Sequence, residues 1–203
     1  MMTAVRTKLT IAMLALALAT GGASSAAAQV SDSEDFLSAI ADLDNNKVIE
    51  LVTRRGRGIV NVRGYSGATP LTLAMRKRAG GYVNYLLQQG ADPNLGDKNG
   101  DTALTIAARL GYGEGVASML TARAAVDGAN RQGETALIIA VQGRHAAIVR
   151  RLLEAGASTS RTDNASGLSA RDYALRDRRS SEILKLIEQV RKKPVFVAGP
   201  IIQ

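Results

Sequence analysis

An all-α solenoid of about five helix-turn-helix units with projecting turns is predicted by three features of the sequence. Four segments recur at spacings of 33, 33 and 34 residues: GATPLTLA from Gly67, GDTALTIA from Gly100, GETALIIA from Gly133 and GLSARDYA from Gly167. A period of this length marks an array of supersecondary units. Nine residues beyond each closing alanine stands a branched apolar residue, Val83, Val116, Val149 or Ile183, with apolar residues three and four positions further on. That spacing lays them along one helix face. The balance of 46% apolar and 22% charged residues is that of a packed protein rather than a disordered chain.

The first element is set apart from the fold. Arg6 and Lys8 precede the apolar run Leu9–Ala19, and a small-residue stretch closes with Ala26, Ala27 and Ala28. This is the layout of an export signal over residues 1–28, cut between Ala28 and Gln29. The alternative is a retained membrane anchor, which needs about 20 predominantly apolar residues, and Gly21, Gly22, Ser24 and Ser25 interrupt the run. Removal of residues 1–28, which carry Arg6 and Lys8 and no acid, leaves 175 of the 203 residues and reduces the formal charge from +8 to +6. The short basic region and alanine-rich cut site point to a bacterial envelope and to the periplasm. The chain has no Cys, so a disulfide scaffold, a thiol nucleophile and a Cys-ligated metal are all excluded.

The repeat domain is expected over residues 29–195, with units at about 32–64, 65–97, 98–130, 131–163 and 164–193 and a tail at 196–203. In the opening unit, Ala39, Val48, Leu51 and Val52 occupy the apolar positions without a threonine start. In the later units Thr69, Thr102, Thr135 and Ser169 precede the inner helix, where a hydroxyl accepts a free backbone N–H of the first turn. Pro70 suits the first helical position because its missing N–H would be unpaired there anyway. Leu71, Leu73 and Ala74 make that helix apolar on most faces, as do Leu104, Ile106, Ala107 and Ala108 in the next unit. A helix between two neighbours needs this. Gly90 and Gly156 end the second helices. The third unit has Arg123-Ala124 where a glycine is expected. No unit of this size buries its apolar face alone, so stability must come from stacking.

On these residues the chain resembles the ankyrin repeats. Thr69-Pro70-Leu71-Thr72-Leu73-Ala74 is similar to the family's T-P-L-H-x-A motif, with Thr72 in the histidine's place, and Gly90-Ala91-Asp92-Pro93-Asn94 resembles the end of a unit. The likeness spans about Asp32 to Val190. Phe36-Leu37-Ser38-Ala39 in the opening unit and Arg171 in the last depart from the pattern in the way terminal capping units do.

No chemistry-bearing motif survives inspection. His145, the only histidine, falls where the family carries a structural Gly-His pair, flanked by Arg144 and Ala146 rather than by acids. Asp42-Leu43-Asp44-Asn45-Asn46 imitates a calcium loop, but Lys47 and Thr53 replace its glycine and bidentate glutamate. Gly111-Tyr112-Gly113-Glu114-Gly115 lacks the spacing of a phosphate-binding loop. Ser31-Asp32-Ser33-Glu34-Asp35 reads as acids favouring the dipole of a first helical turn. No catalytic residue, metal or cofactor is expected. Five Tyr, two Phe and no Trp are few for gripping bases, so nucleic acid is disfavoured despite the basic charge.

The resemblance implies a noncatalytic, monomeric scaffold that binds a protein partner through its concave face and turn tips. Carried over by position, the tip contacts are Tyr65, Ser66, Ala68, Lys98, Asn99, Asp101, Arg131, Gln132 and Glu134. The inner-helix contacts are Arg76, Lys77, Arg109, Leu110 and Gln142. Arg76-Lys77-Arg78 and Arg109 suggest a docking patch for an acidic partner, since focused charge raises encounter rates. Peripheral attachment to an anionic membrane through Arg191-Lys192-Lys193 and the apolar tail is the alternative.

Overall fold

The computed structural model describes residues 23–192. They form five helix pairs: α1 (Ala23–Asp42) with α2 (Asn45–Arg55), α3 (Pro70–Arg76) with α4 (Gly80–Gln88), α5 (Ala103–Arg109) with α6 (Gly113–Thr121), α7 (Ala136–Gln142) with α8 (Ala146–Glu154), and α9 (Ala170–Arg176) with α10 (Ser181–Lys192). A short 3-10 turn, Arg57–Asn61, follows α2. The expected export signal up to Gly22 and the tail after Lys192 lie outside the described residues.

Each inner helix of the four later pairs starts on its predicted hydroxyl. Thr69 accepts the N–H of Thr72, Thr102 that of Thr105, Thr135 that of Ile138 and Ser169 that of Asp172. Losing such a cap typically costs about 1 kcal/mol. Each of these four inner helices is seven residues long, too short to persist alone. Its stability must come from its neighbours. α1, α3, α5, α7 and α9 pack successively into an inner row, and α4, α6, α8 and α10 into an outer row. One continuous apolar core runs between them, from Phe36 and Ile40 through Leu71, Met75, Leu104, Met119, Leu137 and Leu152 to Ile187, all at most 2% exposed.

The opening pair departs from expectation. α1 begins at Ala23, ahead of the predicted start near Asp32. The alanines within Ala23–Ala28 are strong helix formers, so the helix extends ahead of Asp32. The acidic run therefore lies within the helix and not in its first turn, which holds no acid. Asp32 pairs instead with Arg54 at 2.6 Å and with Arg55, both from α2. Within the Asp42–Asn46 segment, Leu43 and Asp44 make the turn between α1 and α2; Leu43 has φ +58° and Asp44 caps α2 through the N–H of Lys47. Among the described residues, no group of three or more His, Asp or Glu is arranged to hold a metal.

Candidate binding surface

Four turn tips project ahead of the inner helices, and a polar residue at the base shapes three of them. Asp97 accepts the N–H groups of Asn99 and Asp101 at 2.8 and 3.1 Å. Asn130 accepts those of Gln132 and Glu134 at 3.0 and 2.9 Å. Asp163 accepts that of Ser166 at 2.5 Å. Aspartate and asparagine hold turns in this way because a short side chain can stand in for a backbone acceptor. In the second unit Gly64 takes this position, and Glu34 of α1 supplies the acceptor, binding the N–H of Tyr65 at 2.8 Å. Backbone bonds from Gly64 to Ala68, Asp97 to Asp101, Asn130 to Glu134 and Asp163 to Leu168 close the tips. Only isolated antiparallel bridges, Ala129 with Thr135 and Thr162 with Ser169, extend them.

The tips are also tied to each other. Arg131 donates its N–H to the carbonyl of Asn99 at 2.9 Å, and Asn164 donates to that of Gln132 at 2.7 Å. Gly67, at φ +77°, must be glycine twice over, since a Cβ there would meet Lys98 at 2.5 Å. At the far ends of the units a second ladder forms. Asn61 accepts the N–H of Asp92, Asn94 that of Ala125 and Asp127 that of Ser158, at 2.7, 2.7 and 2.9 Å. These two polar ladders escaped the sequence reading, although Asp97, Asn130 and Asp163 repeat every 33 residues, as do Asn61, Asn94 and Asp127. The same period thus runs through these polar positions as through the apolar ones.

The structure sorts the expected contact residues. Tyr65, Ser66, Lys98, Asn99, Arg131 and Gln132 are exposed on tips, and Lys77 and Gln142 are exposed at the ends of inner helices. Ala68 and Leu110 are half-buried. Asp101 is 7% exposed and binds Asn130, Thr105 and Arg109, so it belongs to the framework rather than to a contact surface. Two residues of the anticipated basic patch form ion pairs within the molecule. Arg76 pairs with Asp97 at 2.5 Å, and Arg109 lies between Asp101 at 3.2 Å and Glu134 at 3.3 Å. Their charge is met within the molecule. Lys77, Lys98 and Arg131 make no ion pair among the described residues.

No catalytic constellation accompanies this surface among the described residues. The imidazole of His145 fills space beside Gly111 and Gly143, where an added Cβ would approach it to 2.7 Å. Its ring packs against both glycines. A groove of about 630 Å³ lies between α4 and α6, lined by residues including Asn84, Leu87, Ser118 and Thr121. An apolar cleft of about 230 Å³ between α2 and α4 contains Val48, Ile49, Tyr82 and Tyr85. Burial pushes the Tyr82 phenol upward, with Asp44 adding to the shift. Neither cavity is lined by His145 or by a carboxylate.

A stack of short helix pairs with a tied row of tips and a continuous core defines a repeat-built scaffold. The family model for ankyrin repeats (3 copies) matches residues 36–128, 81–163 and 104–192, and the chain belongs to that family. Ankyrin repeats serve as protein–protein interaction scaffolds and are typically noncatalytic. No curated protein matches the chain.

Proposed function

We propose that this chain is an exported, noncatalytic scaffold of the bacterial periplasm that holds one protein partner on its tips and inner-helix face. The carrying observation is Tyr65, 83% exposed at the end of a tip whose backbone Glu34 fixes from the neighbouring unit. A large side chain presented from an ordered turn spares the backbone part of the ordering cost on association. Tyrosine is also among the residues that dominate interface energetics. Along the same row, Asn99 and Gln132 on the next two tips and Lys77 and Gln142 at inner-helix ends add exposed, adaptable polar groups. The leader supports export, through its basic start, apolar run and alanine-rich end.

Crosslinking and affinity capture from an envelope extract tests the binding role. One protein should be enriched by the parent chain, and Tyr65→Ala should weaken its binding by about 2 kcal/mol, or ~30-fold, with the melting temperature unchanged. Absence of a captured protein, or capture indifferent to Tyr65, Lys77, Gln132 and Gln142, overturns the reading. Export is tested separately by sequencing the N-terminus of the fractionated protein, which should begin at Gln29.

A further inference from the structure

We propose that the row of tips is a register for an extended acidic polypeptide segment, with Tyr65 receiving an apolar residue and Lys98 and Arg131 each receiving a carboxylate. This rests on the scaffold reading above and names the chemistry of its partner. Tyr65, Lys98 and Arg131 occupy the same position of three successive tips, 33 residues apart, directly after Gly64, Asp97 and Asn130, and all three are exposed. The following positions, Ser66, Asn99 and Gln132, carry no charge.

The acids that could have neutralised this row are engaged elsewhere. Asp97 holds Arg76 and two N–H groups of its own tip. Asp101 and Glu134 share Arg109 and the amide of Asn130. Residues 1–22 and 193–203 contain no Asp or Glu that could reach over. Lys98 and Arg131 therefore stand without an ion pair among the described residues, above tip-base acids already engaged with Arg76, Arg109 and Asn130. Charge of one sign on an ordered surface selects a partner of the opposite sign and rejects its own.

The spacing specifies the partner further. Helices in contact lie about 8–10 Å apart, so successive tips repeat at roughly that distance. An extended chain rises about 3.3 Å per residue. Three residues of a bound segment thus span one tip to the next, and the matching pattern is an apolar residue followed by carboxylates three and six positions on, or the reverse order. The bonds from Arg131 to Asn99 and from Asn164 to Gln132 keep the tips from shifting relative to one another.

NMR titration of the full chain with two synthetic peptides tests the register. Both peptides carry one leucine and two aspartates among serines, one with aspartates three and six positions after the leucine, the other with them adjacent. The spaced peptide should perturb the amides of tips 65–67, 98–100 and 131–133, bind at least ~5-fold more tightly than the adjacent one, and weaken as salt rises. Lys98→Glu and Arg131→Glu should each reduce its affinity ~5-fold or more, while Arg150→Glu on the outer row leaves it unchanged. Equal binding of the two peptides overturns the proposal. So does parent-like affinity in both tip variants with an unchanged circular dichroism spectrum, or comparable tip-dependent binding of a single-stranded oligonucleotide or of vesicles containing anionic lipid. If the partner of the capture experiment depends on Tyr65 but not on Lys98 or Arg131, the register falls while the scaffold role stands; if no partner is captured, the scaffold role itself falls.

Discussion

Among the described residues, four other than glycine adopt the left-handed conformation: Leu43, Arg78, Arg123 and Arg144, at φ of +58°, +53°, +57° and +57°. This conformation costs an L-residue roughly 1–2 kcal/mol, and two of the arginines return something for it. Arg78 donates to the carbonyl of Leu110 and lies 5.8 Å from the centre of the Tyr112 ring in the next unit. Arg144 binds Asp177 at 2.6 Å across the last interface. Gly111 holds the equivalent place between them and cannot be arginine, because His145 occupies the space. Arg123 differs, since it sits where Gly90 and Gly156 end the neighbouring outer helices and makes no side-chain contact of this kind. Arg123→Gly should therefore raise stability by about 0.5–1 kcal/mol, the relief of strain less the added freedom of glycine in the unfolded chain. Urea denaturation measures it, and an unchanged or lowered midpoint would show that Arg123 is held by something else.

Within single units, the two ends of the array are built differently from its middle. The last unit relies on acids. Ser166 N–H, the Tyr173 hydroxyl and other tip amides hold Asp163 below the usual carboxylate range, and the Ser169 hydroxyl and N–H do the same for Asp172. Arg144, the N–H of Arg179 and the Ser180 hydroxyl bring Asp177 from 3.8 to about 2. A carboxyl whose folded pKa lies below its unfolded one contributes stability above the unfolded value and loses it as pH falls through the folded value. For Asp177 the window runs from about pH 4 down to about 2, and Asp163 and Asp172 lose their contribution in the same direction as pH falls. Amide exchange in α9 and α10 should accelerate across that window before exchange in α5 and α7. Asp177→Asn should reduce the pH dependence of the last unit. Simultaneous acid loosening of all helices would contradict this. Arg171, which broke the apolar pattern, binds Glu188 at 2.6 Å on the closing pair, which fits its place at the end of the stack.

Across the whole molecule, stability follows the neighbours each unit has. α5 and α7 are sandwiched, with Ala103–Ala108 and Ala136–Val141 wholly buried. α2 leaves Ile49 54% exposed and α9 leaves Leu175 49% exposed. In a stack whose energy is a sum over adjacent pairs, native-state hydrogen exchange should be slowest in α5 and α7 and fastest in α2 and α10. A uniform profile would mean one indivisible cooperative unit instead. The sequence by itself determined the period, the inner-helix caps at Thr69, Thr102, Thr135 and Ser169, and the apolar positions of both rows, because each depends on chemistry repeated at fixed separation along the chain. Tertiary structure alone decided which charges are free. Arg76 and Arg109 look as available in sequence as Lys98 and Arg131, yet the first two meet acids 21 and 8 residues away and the last two meet none. Asp32 and Glu34 likewise left the role of helix-start acids to brace Arg54, Arg55 and Tyr65. Pairing across an interface depends on which side chains the stacking brings within about 4 Å, and no spacing along one helix encodes that distance.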